Sequence, residues 1–454
     1  MRKNDSIKRL VILCLSFLGI VISTGMYAYT WIVQYHQRYV YNVKLYFWGH
    51  IMMVLIYFIL LFFFTTTYGG MKIGFLKPMD VFFSQGFSLL CVNIITYMQI
   101  SLMEVKLVWT KGLLWMTVLQ IAVAGIWTFF CNYVYRTAFP PRDLLLIHGE
   151  RSIEDISRKF ASRPDKYRIV KTMDIAEGVE AVQKEILDSK MAVVLWDIPT
   201  TDRNTLFKFC YSRSIRVYMM PKITDVLIKG SDQLHLFDTP ILLSREFSLK
   251  VEQRIAKRTI DIVCSLILII ISLPIQLLTA IAIKVYDRGP VLYKQIRCTT
   301  NGREFEILKF RSMRVDAEKD GVARLASKND SRITPIGKFI RAVRIDELPQ
   351  LFNILKGDMS FIGPRPERPQ IIAQYMEEMP EFALRMKVKA GLAGYAQVYG
   401  KYNTTPYDKL KLDLSYIENY TLWLDIKLML LTLKILFKPE STEGVDSNQT
   451  TAMK

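Results

Sequence analysis

Apolar residues gather in four long runs near 10–33, 45–66, 81–103 and 112–135. Each is long enough to cross a hydrocarbon core of about 30 Å at about twenty residues per helix, so the pattern predicts four transmembrane helices. The first run is too long for a signal h-region and no A-x-A-like cleavage site follows it, so it is expected to stay as an anchor. Arg2, Lys3, Lys8 and Arg9 precede the first run, and Arg136 and Arg142 follow the fourth. The positive-inside bias then puts both ends in the cytoplasm, which agrees with an even number of spans.

After Phe139-Pro140-Pro141-Arg142 the pattern switches to short apolar strands alternating with charged, helix-like stretches. Strands are expected at Leu144–Ile147, Tyr167–Val170, Ala192–Trp196 and Val217–Met220, which predicts a small parallel α/β domain. The first strand runs into His148-Gly149-Glu150-Arg151, without the G-x-G-x-x-G that lets a pyrophosphate approach the backbone. A degenerate nucleotide fold with a structural or regulatory role is the expectation.

A fifth apolar run, Ile262 to Ile283, carries Pro274 near its middle with Ser272 beside it. Proline costs about 3 kcal/mol in a helix interior unless a bend is wanted, and a neighbouring serine can satisfy freed backbone groups. Lys257 and Arg258 precede the run, and Lys284 and Arg288 follow it. Both ends therefore favour the anionic cytoplasmic face. A re-entrant helix over about 257–285 meets both demands; a kinked transmembrane helix is the alternative.

The resulting fold class is membrane α plus α/β. Residues 1–138 form a four-transmembrane-helix domain and 139–245 the parallel α/β domain. Residues 246–440 form a mostly helical domain carrying the re-entrant helix, and 441–454 a flexible tail. The net charge of +18 and the 51% hydrophobic content point to anionic membrane lipids as partners rather than nucleic acid. The six cysteines are scattered with no C-x-x-C spacing, which speaks against a disulfide framework or a zinc site.

All four histidines lie before residue 257. Chemistry in the second half must then come from other groups, and carboxylates are the best candidates. Asp346 and Glu347 sit side by side in Arg341–Asn353, in a half that also holds Lys309, Arg311, Arg314, Lys338, Arg341, Arg344, Arg365 and Arg368. A carboxylate pair in a basic field suits a reaction on anionic substrates such as sugar nucleotides and lipid phosphates. The alternation of Glu304–Met313 predicts a strand with Lys309 and Arg311 on one face. In Gly363-Pro364-Arg365-Pro366-Glu367-Arg368-Pro369 three prolines stiffen a loop that presents Arg365 to a bidentate acceptor. Gly391–Gly400 reads as a turn whose tyrosines either stack on a base or form a tight connection. Leu422–Phe437 reads as an amphipathic helix lying in the membrane interface or packing on the domain.

From Lys257 to about Phe437 the chain resembles the bacterial monotopic phosphoglycosyl transferases. The resemblance rests on Lys257-Arg258, the Ser272/Pro274 break, Lys-Phe-Arg-Ser-Met at 309–313, Asp-Glu-Leu-Pro-Gln at 346–350, Gly-Asp-Met-Ser-Phe-Ile-Gly-Pro-Arg-Pro-Glu at 357–367 and the 391–400 turn. The four helices and the α/β domain resemble the longer members, of the undecaprenyl-phosphate galactose or glucose phosphotransferase kind. The resemblance implies transfer of a sugar-1-phosphate from a UDP-sugar to undecaprenyl phosphate, with UMP released. It implies Asp346 as nucleophile, Glu347 in a Mg²⁺ site, and Arg341 on the prenyl phosphate. Pro364, Arg365 and Pro366 would hold the nucleotide, with Lys309, Arg311 and Arg344 completing the substrate-binding set. A multi-pass protein of the bacterial inner membrane follows, its catalytic domain on the cytoplasmic face and its α/β domain a candidate homodimer or regulatory surface. Thr299 stands where that family's Arg-x-Gly-x-x-Gly turn has glycine, which leaves the conformation of this loop open. Two rival classes remain: an inactive membrane scaffold or regulator, and a transferase that moves sugar alone and releases UDP. No residue reveals which sugar is carried.

Overall fold

The computed structural model describes residues 2–36, 46–109, 111–236, 238–244, 249–314, 332–400 and 404–436. The tail expected over 441–454 lies outside them. The chain divides into two units, Met1–Met220 and Pro221–Lys454.

In the first unit the four apolar runs form α1 (Arg2–Thr30, continued by a π-helical end to His36), α2 (Phe47–Tyr68), α3 (Pro78–Glu104) and α4 (Lys111–Ala138). Each of the four is long and apolar enough to cross a membrane. Their shared core holds Tyr27, Trp31, Tyr57, Val92 and Ile100, while Leu55, Trp115 and Ile126 face outward. A polar network ties the helices together. The Tyr57 hydroxyl donates to Asn93 Oδ1 at 2.8 Å, Asn93 Nδ2 donates to Gln120 Oε1 at 2.9 Å, and Gln120 Nε2 donates to the Ser23 carbonyl at 2.9 Å. Polar groups at membrane depth need such internal partners.

The four expected strands are all present, as β1 (Arg142–His148), β2 (Tyr167–Asp174), β3 (Ala192–Trp196) and β4 (Val217–Met219). They form one parallel sheet in the order β2-β1-β3-β4, joined by α5 (Ile153–Ala161), α6 (Val179–Ser189) and α7 (Thr200–Ser212). Leu144 to Ile147 are fully buried, as befits a central parallel strand covered on both faces.

The second unit opens with α8 (Ile223–Lys229) and the hairpin β5 (Asp232–Leu236) and β6 (Thr239–Leu243). Then comes α9, a single 37-residue helix, Val251–Asp287, with Pro274 inside it. It is the fifth helix long and apolar enough to span a membrane. The Ser272 hydroxyl donates to the Leu268 carbonyl and accepts from Gln276 Nε2 at 2.8 Å. It thus serves a carbonyl other than that of Ile270, the one whose i+4 donor Pro274 removes.

The cations in the first turns of this helix, ahead of its apolar run, depart from the sequence expectation that they reach for lipid. Lys257 is buried; its Nζ lies 2.6 Å from Asp425 Oδ2 and donates to the Ile362 carbonyl at 2.9 Å. Arg258 donates to the carbonyls of Ile354 and Leu355, both at 2.7 Å. Asp261 accepts from Ser360 Oγ and from the Phe361 amide, both at 3.0 Å. At the other end of α9, Ile283 packs with Phe310 and Ile340. One domain therefore grips the helix at points 26 residues apart, about 39 Å along its axis.

That domain is built from the antiparallel pair β7 (Leu292–Cys298) and β8 (Glu304–Phe310), then α10 (Pro335–Ala342), α11 (Gln350–Lys356), β9 (Ser360–Ile362), α12 (Pro369–Glu378), β10 (Gly391–Ala393), α13 (Tyr395–Tyr399), α14 (Pro406–Glu418) and α15 (Leu422–Leu436). Its core includes Phe361, Phe382, Leu410, Tyr416 and Leu428. One face of α15 packs on the domain through the buried Asp425, Leu428 and Lys434, while Trp423 is exposed. The turn between β7 and β8 is also resolved. Thr299 has φ −124°, which needs no glycine, and its hydroxyl donates to the Asp358 carbonyl at 2.9 Å and accepts from the Ala390 amide at 3.1 Å. The positive φ angles fall on Asn301 and Gly302 instead.

Candidate active site

Strand alternation puts Lys309 on the same side of β8 as the buried Phe305 and Ile307. Its ammonium group is therefore carried toward the core, and it meets Glu347 Oε1 at 3.2 Å. Burial pulls the Lys309 pKa down and the charge of Glu347 pushes it back up, with the net direction down. Arg311 follows directly on the end of the strand, its amide donating to the Val291 carbonyl at 3.0 Å. It is buried, and its Nη1 lies 2.1 Å from where a Cβ on Gly289 would stand.

The acid pair sits on a 3₁₀ turn, Ile345–Glu347, between α10 and α11. Arg344 enters that turn at φ 56°, a left-handed conformation that costs a non-glycine residue about 1–2 kcal/mol. Ile345 and Leu348 on either side pack on the cluster of Ile283, Phe310 and Ile340, so the turn is pinned against the C-terminal end of α9. Glu347 is met by three cations: Lys309 at 3.2 Å, Arg365 at 3.3 Å and Arg344 at 3.7 Å. Burial alone would raise its pKa, but these cations hold it well below the usual carboxylate range. Asp346 is pushed up to about 6 by burial and then by the charge of Glu347, with Lys309, Arg341 and Arg365 opposing. Asp346 is thus the more basic of the two carboxylates.

The Arg365 loop arrives from β9. A Cβ on Gly363 would lie 2.3 Å from the Lys389 carbonyl, so only glycine lets the two segments touch. Pro364 and Pro366 are buried, while the Arg365 side chain stays 40% exposed and reaches Glu347. The structure thus brings Asp346, Glu347, Lys309, Arg341, Arg344 and Arg365 together. Of the tyrosines in the 391–400 turn, Tyr395 packs on the core and Tyr399 is partly exposed, with ring centroids 4.5 Å apart.

Several polar residues around this centre carry no local signature in the sequence. Asn353 accepts from the Leu308 amide at 2.9 Å and donates to the Glu306 carbonyl at 2.7 Å, which clamps α11 to β8 and with it the acid pair to Lys309. Beneath the Arg365 loop, Glu367 pairs with Lys409, with Arg385 at 3.7 Å and with Arg297 at 3.8 Å. Arg385 in turn pairs with Asp413 at 2.7 Å.

Residues 252–439 match the family described as "Bacterial sugar transferase". The undecaprenyl-phosphate glucose phosphotransferase of Komagataeibacter xylinus is 44% identical over 204 residues, covering 41% of this chain and 38% of that protein. The UDP-glucose:undecaprenyl-phosphate glucose-1-phosphate transferase of Caulobacter vibrioides is 38% identical over 197 residues, 42% of this chain and 73% of that protein. An uncharacterized sugar transferase of Haemophilus influenzae is 30% identical over 338 residues, 67% of this chain and 71% of that protein. The chain thus spans less than half the length of the Komagataeibacter relative and over two thirds of the other two.

Proposed function

Because this chain belongs to the bacterial sugar transferase family, we propose that it transfers a sugar-1-phosphate from a UDP-sugar to undecaprenyl phosphate. The products are undecaprenyl-diphosphate-sugar and UMP. The observation that carries this reading is the half-buried Asp346–Glu347 pair, faced by Lys309, Arg341, Arg344 and Arg365. Four cations around two carboxylates leave a surplus of positive charge for the phosphates of both substrates.

Asp346, the more basic carboxylate, attacks the β-phosphorus of the UDP-sugar. The bond to the bridging oxygen breaks and UMP leaves with its electron pair, so the sugar phosphate is held on Asp346. An oxygen of the lipid phosphate then attacks the same phosphorus and Asp346 departs as carboxylate. Arg365 and Lys309 bind and orient the donor diphosphate, and Arg341 holds the prenyl phosphate. Arg344 and Lys309 keep Glu347 ionised beside the reacting centre.

Among the described residues no group of three or more His, Cys, Asp or Glu side chains could hold a metal ion. Two adjacent carboxylates still fit Mg²⁺, which takes one or two carboxylates and completes its shell with substrate phosphates and water. Glu347, with Asp346 beside it, would hold it. When bound, Mg²⁺ supplies neutralisation of phosphate charge that otherwise repels an attacking carboxylate.

We read α9 as entering and leaving the cytoplasmic face, so that four spans and one re-entrant helix account for the five apolar helices. The grip of one domain on both Lys257 and Ile283 supports this, since a helix crossing the bilayer would carry one of these points to the far side. The test of the whole reading is purified protein with Mg²⁺, undecaprenyl phosphate and a panel of UDP-sugars. UMP release dependent on Asp346 is expected. Release of UDP would establish the sugar-only transfer, and silence across the panel the scaffold.

A further inference from the structure

The loop from Pro364 to Glu367 is held by four consecutive carbonyls. The Gly391 amide donates to the Pro364 carbonyl at 2.9 Å and the Cys298 amide to the Glu367 carbonyl at 3.0 Å. Between them, Arg385 Nη2 donates to the Arg365 carbonyl at 3.0 Å and Arg297 Nη1 to the Pro366 carbonyl at 3.1 Å. The outer two carbonyls are thus fixed by backbone and the inner two by guanidinium groups. The inner pair belongs to the residues that aim the Arg365 side chain at Glu347.

The choice of two arginines, one buried and one half-buried, is chemically demanding. Arg385 is 3% exposed, and Nε of both Arg385 and Arg297 is buried without a partner. A buried guanidinium is tolerated only where counter-ions offset its charge, and Glu367 and Asp413 provide them. Arg385 uses its fork at once on the loop carbonyl, on Asp413 at 2.7 Å and on Glu367 at 3.7 Å. A lysine, as a point charge without that planar fork, cannot span the three. With prolines at 364, 366 and 369 the loop has few amides of its own with which to fix its height.

We propose that Arg385 and Arg297 are positioning residues for the donor half of the reaction, which set the Arg365 side chain against the donor diphosphate by holding the carbonyls of Arg365 and Pro366. This rests on the reading of Arg365 given above. Neither arginine touches substrate; both act through the loop.

The test uses the full chain in detergent or nanodiscs and compares Arg385→Lys, Arg385→Gln, Arg297→Gln, Arg365→Ala and the double variant Arg365→Ala/Arg385→Gln. Initial rates are taken against the UDP-sugar and against undecaprenyl phosphate separately. The expected result is a KM for the UDP-sugar raised about tenfold, equivalent to about 1.4 kcal/mol, in Arg385→Gln and Arg297→Gln. Arg385→Lys should fall between these and the wild type, with the KM for the lipid phosphate unchanged throughout. The double variant should be no worse than Arg365→Ala alone. Loss of folded protein would instead lower the maximal rate with both KM values intact. That result, or a donor KM unmoved in Arg385→Gln while Arg365→Ala raises it, overturns the inference and leaves the donor-site reading standing. An unmoved donor KM in Arg365→Ala removes both.

Discussion

Replacing Asp425 by asparagine should loosen the hold of the catalytic domain on α9. Asp425 is almost wholly buried and receives three donors: Lys257 Nζ at 2.6 Å, the Tyr416 hydroxyl at 2.7 Å and the Tyr420 hydroxyl at 3.3 Å. The side chains of the ion pair are 10% and 5% exposed, so solvent screens it little. Breaking one partner of a buried pair costs about 3–5 kcal/mol, because the remaining charge stays buried without compensation. Asparagine keeps one acceptor oxygen, and Lys257 retains the Ile362 carbonyl and the Tyr416 hydroxyl, which places the cost at the low end, about 3 kcal/mol. For a unit of this size each kcal/mol lowers Tm by about 2–4 °C, so a fall of about 6–12 °C is expected. Scanning fluorimetry of the detergent-solubilised protein reads it directly. The double variant Lys257→Met/Asp425→Leu removes both charges and should recover about half of the loss or more. A fall of less than about 2 °C in the single variant, or a double variant worse than the single, would refute the view that this ion pair seats the helix.

Asp346→Asn should abolish turnover while Tm stays within about 2 °C of wild type, because the charge removed is the less favourably held of the two carboxylates; near-normal UMP release from that variant would rule out covalent transfer through Asp346. Gly363→Ala places a methyl group 2.3 Å from the Lys389 carbonyl, so the loop must shift, and the donor KM should rise at least about tenfold with the lipid KM unchanged; equal kinetics would mean that the loop tolerates displacement. Burial alone would raise Glu367, but Lys409 and Arg385 hold its pKa down from 4.5 to about 2. Its ionised form therefore contributes stability, of order 3 kcal/mol, that is complete above about pH 4.5 and lost as the pH falls toward 2. In Glu367→Gln the slope of Tm against pH should flatten in that window, and an unchanged slope would show that other carboxylates govern acid unfolding.

The sequence exposes features whose cause is local. Twenty apolar residues in a row announce a span, and the four strands 144–147, 167–170, 192–196 and 217–220 announce themselves by apolar runs bounded by charge. Asp346 and Glu347 stand out because they are adjacent carboxylates amid clustered cations, in a half of the chain that holds no histidine. Lys257 shows where this ends. Beside an apolar helix, a lysine looks the same whether it meets lipid phosphate or a carboxylate 168 residues downstream. Only the fold decides between them, and it chose Asp425.

The same distinction explains how the catalytic centre is built. Its paired carboxylates and the cations that face them occupy short, recognisable segments, as groups proposed to meet substrate would. The groups that hold those segments in register, Asn353 against β8, Arg385 and Arg297 under the loop, Lys257 and Asp261 at the root of α9, are dispersed over more than 100 residues and reach partners distant in the sequence. All five side chains take a main-chain carbonyl or amide directly. Backbone is present at every position, so such a clamp leaves no matching partner residue to find in the sequence. Precision at the acid pair therefore comes from polar side chains that a reading by residue type assigns to solvent, which makes these positions, rather than the acids themselves, the places where substitutions should separate donor affinity from chemical competence.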